Sequence, residues 1–354
     1  MNKKLISIAV AAALAPAHAM AADVTVYGRV HVSADSVSGI AANKNNTALN
    51  SDSSRFGVMG DNDLGDGLKG LFQLESGVNA VGRSVPDGNG GTNTGQVFSG
   101  ARDMFIGLAG NFGSIKAGRM GGANQWVYDS NLFADQMGDA GNFNSGRGVG
   151  GRLSGILMYQ TPTVSGLNAS LTYIPGSSLD SGTTTGNGSY GTKLDYANMG
   201  LNAHAAYFKT STTTATVVTD NKNASIAGGY DFGNAMVTAQ FVNSKVDAGG
   251  VSSTQNVYNI GAKYNFGSND AIKAQYSKAG NLTGVANSGA NQIAIGYDHS
   301  LSKKMGIYAV LAKTTNEANA KFAVDGYGHG GNAGSLAVAG ESPSAISIGM
   351  TYDF

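Results

Sequence analysis

The last ten residues, Ala345 to Phe354, alternate strictly between apolar and polar side chains. Successive side chains of a strand point to opposite faces, so this segment predicts a strand with one oily face and one polar face. Its length fits the roughly 9–11 residues that a tilted strand needs to cross a bilayer. A bare apolar strand edge invites aggregation, whereas every strand of a closed barrel is paired. We therefore expect a membrane barrel rather than an ordinary sandwich. The apolar side chains are those of Ile346, Ile348, Met350, Tyr352 and Phe354.

The N-terminus has the pattern of a cleaved secretion signal. Lys3 and Lys4 precede the apolar run Leu5–Leu14, and a small-x-small cleavage site follows at Ala19–Ala21. The apolar run is too short to span a bilayer as a helix. We therefore expect a signal peptide at residues 1–21, with an alternative cut two residues earlier.

The composition favours one large β-structure in the remaining chain. The 354 residues contain no cysteine, which excludes disulfides and thiol chemistry, and their 53 glycines show no collagen period. Basic and acidic residues balance at 23 each, which argues against nucleic-acid binding. We predict that residues 22–354 form a single all-β domain.

Short turns and long polar segments alternate along the chain, seven of the first and eight of the second. Fifteen connections predict a 16-stranded antiparallel transmembrane β-barrel with both termini on the short-turn side. The predicted short turns are Asp61–Gly67, Ala109–Gly113, Thr161–Gly166, Ala197–Gly200, Asp231–Asn234, Asn265–Asp270 and His299–Lys304, and the long segments centre on 35–53, 78–100, 119–150, 175–189, 210–222, 246–254, 279–289 and 315–342.

The third long segment, Gly118–Gly151, mixes apolar and charged residues and contains the only tryptophan, Trp126. A 16-stranded barrel leaves a wide aqueous lumen. We expect this loop 3 to fold into the pore, with its apolar side on the wall and its acids facing water. A surface loop against a neighbouring subunit is the alternative. Its charged residues include Asp129, Asp135, Asp139 and Arg147.

Motifs of catalytic or cofactor chemistry are missing or out of context. The five histidines lack metal-ligand spacing, and neither Gly-x-Ser-x-Gly nor a phosphate-binding Gly-x-x-x-x-Gly-Lys occurs. The three Gly-x-Gly-x-x-Gly segments do not follow a strand and open a helix, as dinucleotide binding requires. We therefore predict no enzyme activity, no cofactor and no metal site.

Three segments carry a family resemblance. Ser54–Gly77 resembles the second hairpin of general porins of Gram-negative proteobacteria, the neisserial-like family. Phe105–Arg119 resembles the next hairpin, and Tyr159–Pro162 resembles the sixth strand and turn. The resemblance implies a homotrimer of 16-stranded barrels in the bacterial outer membrane, with loop 3 in the pore and a row of arginines facing it.

The arginines carried over from this resemblance are Arg55, Arg102 and Arg152. Arg102 shares the parity of apolar positions on its strand, so a bulge is needed to turn it inward. Asp103 and Met158 stand where the family often has basic residues, which weakens any strong anion preference.

The expected function is passive diffusion of ions and small hydrophilic solutes through a water-filled pore. Arg55, Arg102, Arg152, Asp129, Asp135, Asp139 and Arg147 are the predicted constriction residues. Expected partners are outer-membrane lipid and two further copies of the chain. Alternatives are a substrate-selective channel for a sugar or organic acid, a barrel acting as an adhesin or phage receptor, and a barrel-embedded hydrolase, which the sparse histidines disfavour.

Overall fold

A computed structural model describes residues 23–40, 46–82, 85–86, 92–93, 98–123, 130–144, 151–179, 181–329 and 338–354. The signal peptide predicted at 1–21 lies outside these ranges. The described strands are β1 (Asp23–Ser38), β2 (Asn46–Ser51), β3 (Arg55–Gly65), β4 (Leu68–Val78), β5 (Val85–Pro86), β6 (Thr92–Asn93), β7 (Phe98–Gly110), β8 (Gly113–Met120), β9 (Leu153–Gln160), β10 (Leu167–Ile174), β11 (Thr184–Asn198), β12 (Leu201–Thr214), β13 (Val217–Asp231), β14 (Ala235–Ala248), β15 (Val251–Phe266), β16 (Asp270–Ala279), β17 (Ala290–Ser300), β18 (Met305–Asn316) and β19 (Ser344–Asp353). A short helix, α1 (Gly141–Asn144), and one 3-10 turn (Gly176–Leu179) accompany them.

The main sheet closes on itself. β1 pairs antiparallel with β19, where Arg29 opposes Asp353, and with β3, where Arg29 opposes Arg55. β2 and β3 both pair with β1 and are one wall strand interrupted at residues 52–54, so the 17 hydrogen-bonded strands form 16 barrel strands. β5 and β6 form a separate small hairpin. The predicted 16-stranded antiparallel barrel is confirmed.

The seven predicted short turns all join neighbouring strands, the tightest of them with only two residues between the strands. Two predicted long segments differ from the prediction. β12 and β13 are joined by residues 215–216 alone, and β14 and β15 by 249–250. The polar segment around 210–222 is rich in Thr and Val, which favour strands, so pairing continues to Thr214 opposite Val217.

The alternation predicted for the last strand is confirmed by exposure. Ile348 is 63% exposed, whereas its neighbour Ser347 is fully buried. Val30 and Ile295 are likewise exposed on the outer wall. Apolar side chains therefore cover the outside of the barrel and polar side chains line its inside, the reverse of a water-soluble fold. No helix of the described residues is long and apolar enough to cross a membrane.

The apolar clusters of the described residues lie inside the barrel. Phe133 and Met137, from the connection between β8 and β9, pack with Val310 of β18. Phe143 of α1 packs with Val242 of β14 and Val257 of β15. The segment 130–144 thus packs against the inward-facing side chains of the wall.

Candidate functional site

Two of the three predicted wall arginines share an acidic partner, Glu75 of β4. The carboxylate of Glu75 accepts a hydrogen bond from Arg102 Nε, and Arg152 Nη2 lies 3.8 Å from its Oε1. Tyr27 donates its hydroxyl to the same carboxylate at 2.9 Å. Arg152 also forms a two-bond pair with Asp103, at 2.9 and 3.1 Å. The wall therefore carries a connected network of arginines and acids.

A bulge turns Arg102 toward this network. Leu74 opposes Met104 and Ser76 opposes Ala101, so two residues of β7 face the single residue Glu75. An extra residue of this kind re-aims the side chains of the bulged strand. Adjacent residues of a regular strand point to opposite faces, but at this bulge both Arg102 and Asp103 reach the network. Arg102 contacts Glu75, and Asp103 contacts Arg152.

The third wall arginine, Arg55, faces the segment 130–144 instead. Its Nη1 lies 3.9 Å from Asp135 Oδ2 and 3.4 Å from the carbonyl oxygen of Ser53, to which it donates. The side chains of Arg55 and Asp135 are 23% and 16% exposed, so both retain contact with solvent. Asp135 adopts a left-handed backbone conformation with φ of 60°.

Asp139 is placed differently from its prediction. Its side chain is fully buried within the loop instead of facing the lumen. Oδ1 accepts hydrogen bonds from Asn131 Nδ2 at 2.7 Å and Gly141 N at 2.6 Å, and Oδ2 accepts one from Asp135 N at 2.8 Å. Burial, followed by the charge of Asp135, raises the pKa of Asp139 to about 8, although the three N–H donors oppose this shift. Asp139 therefore does not face water, as the acids of this loop were expected to do.

Hydrogen bonds fasten the segment 130–144 to the inner wall. Leu132 N donates to Gln275 Oε1 at 2.9 Å, and Gln292 Nε2 donates to the carbonyl oxygen of Gly138 at 2.7 Å. Lys273 donates to Gln136 Oε1 at 2.8 Å and lies 4.8 Å from the ring centre of Phe133. Buried polar groups are stable when each has a hydrogen-bond partner. The wall side chains of Lys273, Gln275 and Gln292 supply such partners to the loop.

The remaining predicted constriction residues, Asp129 and Arg147, lie outside the described residues, as does Trp126. The sequence did not identify a second charged group, in which His31 and Asp35 of β1 approach Asp52 and His329. His329 Nε2 lies 3.4 Å from Asp35 Oδ2 and 3.5 Å from Asp52 Oδ1. Among the described residues, no group of three or more potential ligands has the geometry of a metal site.

A closed antiparallel barrel with an apolar outer wall and a charged, polar interior is a channel of the bacterial outer membrane. The profile of the family described as "Gram-negative porin" matches residues 7–319. The chain therefore belongs to the Gram-negative porin family, and it is an outer-membrane diffusion channel, as the resemblance implied.

Individual relatives agree with this assignment. The "Outer membrane porin protein 32" of Delftia acidovorans is 31% identical over 369 residues, with all of both chains covered. A "Major outer membrane protein P.IB" of Neisseria gonorrhoeae is 29% identical over 345 residues, which cover 86% of this chain and 91% of that protein. A solved "Anion-selective porin from Comamonas acidovorans" superposes with a TM-score of 0.79 at 27% identity, covering 94% of this chain and 100% of the other.

Proposed function

We propose that the channel is narrowed by a charged constriction between the wall arginines and the segment 130–144. The observation that carries this proposal is the approach of Arg55 to Asp135, which brings wall and loop within 3.9 Å. Charges of opposite sign across a narrow opening create a transverse field, and a low-dielectric wall focuses it. Such a field sorts solutes by size, charge and dipole without making or breaking a bond.

The described charges support a weak preference for anions. Glu75 is only 6% exposed and directs its carboxylate at Arg102 and Tyr27, so its charge is largely compensated. Asp139, with its raised pKa, adds little negative charge at neutral pH. Arg55, by contrast, keeps its charge at any working pH, and its side chain is more exposed than that of its partner Asp135, at 23% against 16%. The anion selectivity named for the porin of Comamonas acidovorans agrees in sign with this proposal.

Deleting Asn124–Asn144 tests whether the loop narrows the lumen. We expect a higher single-channel conductance in planar bilayers, because the obstruction is removed. A matched control shortens the connection between β16 and β17 by deleting residues 283–287, which lie in a loop at the same rim. Resistance of the barrel to heat denaturation in detergent verifies that both deletion variants are folded. Equal conductance of the wild type and the folded loop 3 variant would place the loop outside the permeation path.

We further propose that three barrels assemble into a trimer. Support comes from family membership and from the second long connection, Val78–Gly100, whose length suits a latch onto a neighbouring barrel. Closed cyclic assemblies are the common form of homo-oligomers. Mass measurement in mild detergent is expected to give three chains. A stable monomer with wild-type conductance would contradict the trimer and leave the channel function untouched.

A further inference from the structure

The short-turn rim of the barrel carries exposed apolar side chains. Met199, Phe232 and Leu301 lie on three different turns between neighbouring strands, and all three are exposed. Apolar groups at the end of a membrane wall are stable where lipid meets them. The short turns of such barrels face the periplasm. The rim therefore lies in the interfacial region of the inner leaflet, where outward polar groups meet lipid headgroups.

Asp270, at the start of β16, directs its carboxylate outward at this rim. Its Oδ1 accepts hydrogen bonds from the hydroxyl of Tyr297 at 2.6 Å and from His299 Nδ1 at 2.7 Å. Both donors occupy outward positions of β17, since the residue between them, Asp298, pairs with the buried Lys273. Oδ2 of Asp270 has no hydrogen-bond donor among the described residues, and the side chain is 28% exposed. The carboxylate is thus held in place with one oxygen free.

Two aromatic rings adjoin this carboxylate. Phe266 of β15 stands directly opposite Asp270 in the register of the two strands. The ring centres of Phe266 and Tyr297 are 6.3 Å apart, with 34° between the ring planes, and both side chains are 41% exposed on the outer wall. The faces of aromatic rings carry negative potential and attract cations. The acid and the rings therefore form one outward site for positive charge.

The chemistry of this site selects a cation that has N–H groups. An ionised carboxylate oxygen accepts a charge-assisted hydrogen bond, which an ammonium group can donate and a quaternary amine cannot. A purely anionic headgroup would place like charges side by side. Exposed Lys303 and Lys304 lie on the turn that follows β17, so positive charge for a neighbouring phosphate is available at the same rim. The charges therefore match a zwitterionic lipid that carries an ammonium beside a phosphate.

We propose that Asp270, together with the rings of Phe266 and Tyr297, binds the primary ammonium group of an ethanolamine phospholipid in the inner leaflet. The ammonium donates to Oδ2 of Asp270 and lies against the aromatic rings. The acyl chains of the same lipid cover the apolar wall next to the rim, where Ile272 and Ile295 are exposed. A soluble amine shares the headgroup chemistry but makes no use of that wall.

The test measures lipid binding to the folded protein in neutral detergent by native mass spectrometry. The probes are phosphatidylethanolamine and phosphatidylcholine with identical acyl chains. The wild type is expected to prefer the ethanolamine lipid by about fivefold, and Asp270→Asn is expected to remove this preference. The matched control, Asp231→Asn, removes a carboxylate from the same rim. Asp231 lies between the exposed Tyr230 and Phe232, so its side chain belongs to the other face of the strand, and the control should bind as the wild type.

A second variant tests the aromatic part of the site. Phe266→Leu keeps an apolar side chain on the wall and is expected to weaken binding of the ethanolamine lipid by about threefold. Resistance to heat denaturation in detergent verifies that each variant is folded. Equal binding of the two lipids by the wild type, a preference that survives in Asp270→Asn, or wild-type binding by Phe266→Leu would overturn the proposal. Full displacement of the lipid by soluble ethanolamine at the same concentration would overturn it in favour of a free-amine site.

Discussion

Arg55 on the barrel wall and Asp135 in the segment 130–144 approach each other to 3.9 Å between Nη1 and Oδ2, with both side chains still partly exposed. A pair at this distance is loosely held and faces solvent, so each partner contributes its own charge to passing ions. The pair of Arg152 with Asp103, by contrast, is held by two hydrogen bonds at 2.9 and 3.1 Å. Arg55 and Asp135 are therefore the positions where single substitutions report on permeation.

Substitutions of Arg55 and of Asp135 are expected to shift the ion selectivity in opposite directions. Arg55→Ala should move the reversal potential in a salt gradient toward cations, and Asp135→Asn should move it toward anions. We expect each to change the permeability ratio by about a factor of two, or about 0.4 kcal/mol. Both shifts should shrink near 1 M salt, where screening acts within about 3 Å. Shifts of the same sign from both variants would show that the pair does not face the ion path.

The orientation of the β19 side chains, with one set toward lipid and the other toward the lumen, gives a prediction about stability. Ile348→Arg places a charge in the apolar band, which costs roughly 2–4 kcal/mol near the bilayer midplane. The matched control is Thr351→Arg, because Thr351 points inward and is partly exposed, whereas the fully buried Ser347 leaves no room for an arginine. Urea unfolding in lipid vesicles should show a loss for Ile348→Arg and little change for Thr351→Arg. Equal losses of unfolding free energy in the two variants would mean that Ile348 does not face lipid while Thr351 faces the lumen.

Much of the fold could be predicted because its signals are local. Alternation in β19 and the Asp-, Asn- and Gly-rich turns each depend on a few neighbouring residues, and both were confirmed. The strand extensions around residues 215–216 were missed because a polar Thr-rich segment suits a loop and a strand equally well. Only pairing across β12 and β13 decides between them.

The site was less predictable because it depends on distant partners. Arg102 has the parity of a lipid-facing residue, and only the register of β4 against β7 creates the bulge that turns it inward. Asp139 has the sequence context of a pore acid, yet its oxygens are taken by N–H groups of its own loop. His329 lies 296 residues from its neighbour Ser33, a contact that no local pattern can indicate.

Asp139 predicts a pH dependence of selectivity. With its pKa raised to about 8 from an ordinary 3.8, the loop gains stability that is fully present below pH 3.8 and is lost as pH rises through 8. Above that pH the carboxylate also adds negative charge beside Asp135. The reversal potential should therefore drift toward cations between about pH 7 and 9. Asp139→Asn should flatten the drift, and a folded variant with the wild-type pH profile would contradict the assignment.

Asn is an imperfect substitute, because both oxygens of Asp139 accept hydrogen bonds. One N–H donor loses its acceptor in the variant, at a cost of about 1–3 kcal/mol. Two folding controls are therefore needed: migration of the variant as a folded barrel in gel electrophoresis after heating, and wild-type conductance at pH 6. Asp135→Asn provides a comparison, since it removes the neighbouring charge and should lower the pKa of Asp139 while leaving its hydrogen bonds in place.

The last prediction concerns the connection between β18 and β19, which reaches into the barrel at His329. The imidazole Nε2 lies 3.4 Å from Asp35 and 3.5 Å from Asp52, and Ser53 Oγ donates to the carbonyl oxygen of Gly328 at 2.8 Å. Burial alone would lower the pKa of His329, but the hydrogen bond to Asp35 and the charges of Asp52, Asp35 and Asp325 outweigh it and raise the pKa to about 9. The charged imidazolium therefore fastens this connection at neutral pH.

A group whose pKa is raised on folding stabilises the fold fully below its ordinary pKa and loses that effect as pH rises through the raised value. For His329 the stabilisation is on the order of 3 kcal/mol below pH 6.5, and it disappears as the pH passes 9. Trypsin cleavage after Lys321 should accordingly be slow at pH 7 and faster at pH 10. His329→Gln should be cleaved at nearly the same rate at both values, once the rates are normalised to cleavage of an unfolded reference peptide. Slow cleavage of the wild type at pH 10, equal to that at pH 7, would show that the connection is held without the imidazolium.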